Sequence, residues 1–186
     1  SCGRNIEGQL GIDDNINKNK PKKIQQYQYQ DGVLLSKPTI IDMSAGEYHI
    51  LLLDEDGNVY SCGTDRGGVL GFDTVSFTTT VMLDGNNFKS INKPTLITNF
   101  INAQNTLINP TPKISKISSG YVHSLFLDVD GRAYSCGVDL LGQLCHDIHD
   151  NIITFYSENF NYTHTPTLIT KIKNDDNIES DIPNNI

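Results

Sequence analysis

Residues 112–145, PKISKISSGYVHSLFLDVDGRAYSCGVDLLGQLC, decide the fold because the chain spells them twice. Shifted back by 74 residues they fall on residues 38–71, PTIIDMSAGEYHILLLDEDGNVYSCGTDRGGVLG, with no gap across 34 positions. Seventeen positions are identical: a proline, an isoleucine, the S-x-G-x-x-H run, two leucines, the D-x-D-G turn, Y-S-C-G, and D-x-x-G-x-L. A truncated copy opens the chain, since residues 1–11 align with residues 61–71. Self-similarity at a fixed period is the signature of a repeat architecture.

Each full copy has one grammar. A short apolar strand at 40–43 or 114–117 is opened by Pro38 or Pro112, which a strand start tolerates because no ladder donor is needed there. The S-x-G-x-x-H turn follows at 44–49 or 118–123, then a second strand at 50–53 or 124–127. Asp56-Gly57 and Asp130-Gly131 supply the Asp-Gly pair of a tight hairpin leading to a third strand at 58–62 or 132–136. Pro-x-x-Ile at Pro21, Pro94 and Pro166 marks a fourth strand per unit. Four short strands, glycine-rich turns and no helical period predict an all-β radial array.

The spacers differ in kind. Those after the L-G end run 9, 22 and 20 residues before the next Pro-x-x-Ile, whereas those after Pro-x-x-Ile run 13 and 14. Length added to loops is entropically cheap, so the growth maps to surface insertions. Asn86-Asn87 and the segments 99–109, 151–161 and 174–185 are poor in core-forming residues and are expected to be mobile. The chain divides into a partial repeat at 1–24, repeats with insertions at 38–97 and 112–169, and a polar tail at 170–186, together one incomplete segment of a longer protein.

The net charge of −8 sets the surface against phosphate backbones. The run Lys18-Asn19-Lys20-Pro21-Lys22-Lys23 is the local exception and reads as a solvated loop. No apolar run reaches membrane-span length, and no signal peptide is visible. Cys2, Cys62 and Cys136 hold one place in successive copies, too far apart to bridge, and read as small buried apolar residues of a reduced intracellular protein.

Other chemistries compete poorly with the repeat. The D-x-D-G pairs invite calcium, but position twelve of each candidate loop, Asp65 or Asp139, follows a strand and its turn rather than a helix. His49 and His123 recur with the unit and have no nucleophile at catalytic spacing, so they read as structural. Cys145-His146 with His149 lacks a fourth metal ligand. GTDRGGVLG at 63–71 lacks the Gly-Lys-Ser/Thr of a phosphate loop. Asn161-Tyr162-Thr163 is a glycosylation sequon of no consequence inside a cell. No catalytic residue, metal, cofactor or small-molecule substrate is expected.

Proline, I-S-x-G-x-x-H-[ST]-L-x-L, D-G-x-x-Y-[ST]-C-G and D-x-x-G-x-L-G together resemble the repeat of the regulator of chromosome condensation family, over residues 1–11, 38–71 and 112–145. The resemblance implies a seven-bladed β-propeller of four-stranded antiparallel blades, whose sequence repeat straddles neighbouring blades. About three blades' worth is present, an open arc. The family's founding member docks on nucleosomes and drives nucleotide exchange on the GTPase Ran, and residues of its G-x-x-H turns meet the GTPase. Carried over, the partner-binding residues are Glu47, Tyr48 and His49 with Tyr121, Val122 and His123. The second turn departs from the first by offering Tyr121 and Val122. The implied function is a protein-interaction module, nuclear or cytoplasmic, regulating or promoting exchange on a Ran-like GTPase, with chromatin met only through parts outside this segment and no membrane. The alternative is a scaffold propeller attached to a ubiquitin ligase or kinase domain. The plant ultraviolet receptor of this fold relies on a tryptophan cluster, and this chain has no Trp.

Overall fold

A computed structural model describes residues 1–83, 85–146, 151–155, 158–173 and 179–181, none of them helical. Its strands are β1 Tyr27–Gln28, β2 Leu34–Leu35, β3 Ile40–Ala45, β4 His49–Asp54, β5 Val59–Asp65, β6 Thr80–Leu83 and β7 Asn86–Leu96. They continue with β8 Ile114–Ser119, β9 His123–Asp128, β10 Ala133–Asp139, β11 Asn151–Phe155, β12 Glu158–Leu168, β13 Lys171–Lys173 and β14 Glu179–Asp181. β3-β4-β5-β7 form one antiparallel blade and β8-β9-β10-β12 the next, so the all-β propeller arc holds two complete blades. β8 packs beside β3 and β4.

Alternation along β4 explains why the blades stack. Leu51 and Leu53 join the core between the blades with Phe126 and Tyr134, while Leu52 packs with Tyr60 and Tyr27 on the other face. Cys62 and Cys136 are fully buried, and burial pushes both thiols up. Cys2 departs from this: it is exposed, in a segment paired through the Gly3–Lys18 bridge and the Ser1–Lys22 main-chain hydrogen bonds.

The D-x-D-G hairpins are held by their first aspartate. Asp54 Oδ1 accepts from the backbone N–H of Asp56 (3.0 Å) and Asn58 (2.8 Å), and its Oδ2 accepts from the Tyr60 hydroxyl (2.9 Å). Asp128 repeats these bonds with Asp130, Arg132 and Tyr134. Both carboxyls are buried and occupied by donors from their own hairpin. Asp54→Asn keeps one acceptor and turns the other into a donor facing the Tyr60 hydroxyl. It should cost about 2 kcal/mol, read as a lower urea midpoint with unchanged slope.

The repeat straddles blades through its D-x-x-G-x-L turn. In the truncated first copy, Ser90 Oγ donates to the Glu7 carbonyl (2.8 Å) and Asp13 N–H to the Asn92 carbonyl (2.9 Å), laying the turn across β7. The turn at 65–71 lies likewise across β12, where a Cβ on Gly68 would stand 2.6 Å from His164 Cα.

The spacers depart from expectation. Asn86-Asn87 opens β7, paired with β6, and residues 151–155 pair with β12, so both L-G insertions are hairpins that lengthen a blade's outer strand. Segment 99–109 supplies Phe100, 1 % exposed, edge-on to Phe126 (5.6 Å between ring centroids) and Tyr134 (5.3 Å). Tyr27 meets Tyr60 likewise at 5.3 Å. Apolar residues between the asparagines thus gain burial enough to order these segments. Residues 174–178 and 182–185 of the last Asn-rich segment lie outside the described residues, and the 170–186 tail holds the β13–β14 pair. Pro94 and Pro166 fall inside long strands, each beside a register shift in its pairing with β5 or β10. A proline needs such a bulge, since it cannot donate to the ladder. At Pro21-Ile24 the pairing is limited to Lys22, which exchanges main-chain hydrogen bonds with Ser1 beside the Gly3–Lys18 bridge, and the first strand is β1.

Candidate functional site

The two G-x-x-H turns lie between β3 and β4 and between β8 and β9. In each, the glycine N–H donates to the histidine carbonyl, at 2.9 Å for Gly46–His49 and 2.8 Å for Gly120–His123. The histidine ring folds back over its glycine. A Cβ on Gly46 would stand 2.5 Å from His49 Nδ1 and 2.8 Å from the Gly120 carbonyl, so a side chain has no room. This is why the motif spells Gly-x-x-His.

The six residues expected at a partner surface separate by burial. His49 is 1 % exposed and bridges the blades through Nε2 and Ser124 Oγ (3.0 Å). The Ser124 hydroxyl donates its proton to the Val69 carbonyl (2.7 Å), so it accepts from a protonated Nε2. Burial, with a smaller contribution from His123, lowers the His49 pKa to about 4. Val122 is also buried. Neither offers a surface to a partner. Tyr121 is 53 % exposed, and Glu47, Tyr48 and His123 are half-buried.

Those that reach the surface are joined by two arginines that the repeat alignment does not single out. Arg66, from the D-x-x-G turn, binds Glu47 (Nη1–Oε2 3.1 Å). Its guanidinium carbon lies 5.7 Å from the Tyr48 ring centroid, 5.9 Å from Phe88 and 6.0 Å from Tyr121. Arg4, from the truncated first copy, lies 5.7 Å from the Tyr48 centroid on its own account. It binds buried Glu7 through Nη2–Oε1 (2.5 Å) and Nε–Oε2 (3.1 Å), an interaction that raises the Arg4 pKa. Burial, then the neighbouring Glu47, raises the Tyr48 phenol. The result is a row, Arg4–Tyr48–Arg66–Tyr121, running from the first copy across both blades.

Cations over aromatic faces contribute about 0.5–2 kcal/mol each, according to desolvation. Here they fix planar groups in place without covalent chemistry. Arg4 and Tyr121 end the row with side chains open to solvent, Arg4 being 56 % exposed. Tyrosine and arginine held rigid at a surface are the residue types that carry binding energy in protein interfaces. Beside the row, Phe88 also lines a groove of about 410 Å³ between the two inserted hairpins, bounded by Asn86, Asn87 and Lys89 on one side and Ile153 and Tyr162 on the other. The signal that finds Arg66 is disagreement between copies: the second position of D-x-x-G is Ile6, Arg66 and Leu140 in turn. Among the described residues no group of three or more His, Cys, Asp or Glu is placed to hold a metal.

The family described as "Regulator of chromosome condensation (RCC1) repeat" matches residues 1–53, 40–68 and 114–143. A bifunctional serine/threonine-protein kinase/NEDD4-like E3 ubiquitin-protein ligase of Dictyostelium discoideum is 31 % identical over 83 % of this chain, and the Protein RCC2 homolog of Xenopus laevis is 31 % identical over 79 %. The chain spans 7 % and 23 % of those two proteins. In the crystal structure of Kap60 bound to yeast RCC1 (Prp20), the matched chain aligns with a TM-score of 0.58 at 23 % identity, covering 95 % of this chain and 32 % of that one. A structure of Prp20p from Saccharomyces cerevisiae aligns at 0.55, also at 23 % identity, covering 92 % and 33 %.

Proposed function

Because the chain belongs to the regulator of chromosome condensation (RCC1) repeat family, we propose that it acts as a protein-interaction module, docking a partner on Arg4, Tyr48 and Tyr121, which the buried Arg66 holds in place. We infer further that the protein regulates or promotes guanine-nucleotide exchange on a Ran-like small GTPase, inside the cell. The row carries the reading: it gathers surface residues of both G-x-x-H turns and fixes them with two arginines. Prp20p of Saccharomyces cerevisiae is characterised by binding to Gsp1p and histones, in keeping with a protein partner on this fold. Exchange on this reading needs no bond-making residue in the propeller. The module distorts the GTPase's own nucleotide site by binding it.

The test is nucleotide release from Ran-like GTPases, measured with the full-length protein. Tyr121→Ala removes an exposed ring without opening the core, so folding should persist. Exchange should fall at least about tenfold, in the range of an interface hot spot. No acceleration with any small GTPase would remove the exchange reading and leave the interaction module standing.

The Dictyostelium relative favours a second reading, in which the propeller is a scaffold joined to a kinase or ubiquitin-ligase domain. The sequence of the full-length protein separates the two. A catalytic domain adjoining the repeats supports the scaffold, whereas uninterrupted repeats to both ends reject it.

A further inference from the structure

The two inserted hairpins are longer than blade-building requires. The first copy passes from its L-G end to Pro21 in 9 residues, whereas the spacers that supply the β6–β7 and β11–β12 hairpins run 22 and 20. Each complete blade carries one, and the groove of about 410 Å³ lies between them, in the size class of ligand sites. Its floor is bare at one position. Gly67 holds the place that Glu7 and Leu141 take in the other copies, and a Cβ there would overlap Val138 of the second blade.

Among the lining residues one carboxylate and one ammonium balance. Asp65 and Lys89 stand directly opposite each other in the β5–β7 ladder, where opposite charges compensate. Asp65 Oδ2 also accepts from the Thr74 hydroxyl (2.6 Å), and Lys89 Nζ donates to the Phe77 carbonyl (2.5 Å). An ion of either sign therefore finds its attraction to one group offset by repulsion from the other. What the groove offers instead is apolar surface. Ile153 and Tyr162 form the facing wall, half-buried against the core between the blades. Met82, directly opposite Asn87 and so on the same sheet face, is 72 % exposed. At the rim Asn86 and Asn87 are exposed, and a carboxamide offers both a donor and an acceptor, the two functions a peptide group requires.

We propose that this groove takes a leucine or phenylalanine side chain from an extended segment of a partner protein. The side chain inserts between the blades, and Asn86 and Asn87 hold the segment's main chain. An apolar anchor ringed by groups that exclude water is how interfaces concentrate binding energy. A basic or acidic anchor would have to leave water for a wall whose own charges are already balanced. The site is independent of the Tyr121 row, none of whose residues lines the groove.

The experiment titrates the full-length protein with the acetylated and amidated peptide Ser-Thr-X-Thr-Ser, X being Leu, Phe, Lys or Glu, and follows saturation transfer to the peptide by NMR. The Leu and Phe peptides should bind at least about tenfold more tightly than the Lys and Glu peptides, because only they gain by burying the central side chain. Asn86→Trp and Asn87→Trp, made separately at these exposed positions, should each fill the groove and weaken the Leu peptide at least about tenfold, as the anchor loses its burial. Val129→Trp, on the exposed β9–β10 turn, should stay within about twofold of the parent, since distant sites act independently. Tyr121→Ala should leave peptide binding unchanged, which separates this site from the row. Absent binding of both apolar peptides, equal binding of the Lys or Glu peptide, unweakened binding in both groove variants, or an equal loss in Val129→Trp would each overturn the proposal.

Discussion

Gly63→Ala is expected to abolish the folded arc. Gly63 sits at φ +114°, directly opposite His49 in the β4–β5 ladder. A Cβ there would overlap the Tyr48 carbonyl oxygen and stand 2.7 Å from His49 Cα. Both obstacles are backbone, so no side-chain rotation relieves them. The φ alone costs on the order of 1–3 kcal/mol in a residue with a side chain, and forced overpacking roughly 1–3 kcal/mol more. The sum, about 2–6 kcal/mol, reaches the lower end of the whole stability of a small domain, about 5–15 kcal/mol. The same change at Gly137, at φ +113° and 2.6 Å from His123 Cα, should act alike. Gly32→Ala is the control, since φ is +85° but nothing lies within 4 Å of the added atom. Circular dichroism melts should show no cooperative transition for Gly63→Ala and a slightly lowered one for Gly32→Ala. A Gly63→Ala melt within a few degrees of the parent would refute this account of the Y-S-C-G motif.

The second large effect is acid sensitivity centred on His49. Its pKa lies near 6.5 when exposed and about 4 in the folded chain, because burial between the blades disfavours the charged ring. The unfolded state therefore binds the proton first as pH falls. The stability gained from a neutral His49 is complete above about pH 6.5 and is lost progressively as pH drops toward 4. A displacement of this size corresponds to on the order of 3 kcal/mol. Protonation would also present the ring's second N–H, at Nδ1, to the space over Gly46 while charging a contact built for a neutral donor. His49→Gln keeps a donor of similar reach and cannot titrate. Urea denaturation from about pH 7.5 to about pH 4.5, a range that brackets most of this titration, should show a steeper loss for the parent than for His49→Gln. Parallel curves would mean that His49 is not the sensor.

The repeat was legible because its residues serve local chemistry. Asp54 and Asp128 organise their hairpins through bonds to residues two to six positions on, and each G-x-x-H glycine yields to a ring three residues away. Interactions of such short span leave a spacing in the chain, and the spacing repeats. The two inserted hairpins and Phe100 were not legible, since their partners lie in other strands and asparagine-rich composition hides the few buried apolar side chains. The same limit applied to the candidate site. Tyr48 and Tyr121 were visible as places where copies differ, but Arg4 and Arg66 come from the ends of other units.

The unit, its four-strand grammar and its membership in a propeller family follow from the order of residues alone, because each rests on contacts within one copy. Which turn residues are surface and which are core depends on how the blades pack. His49 and Tyr48 are neighbours in the same motif, yet one bridges blades with Ser124 and the other stacks between Arg4 and Arg66. Burial is a property of what packs against a residue, and at these turns that neighbour is supplied by the next blade.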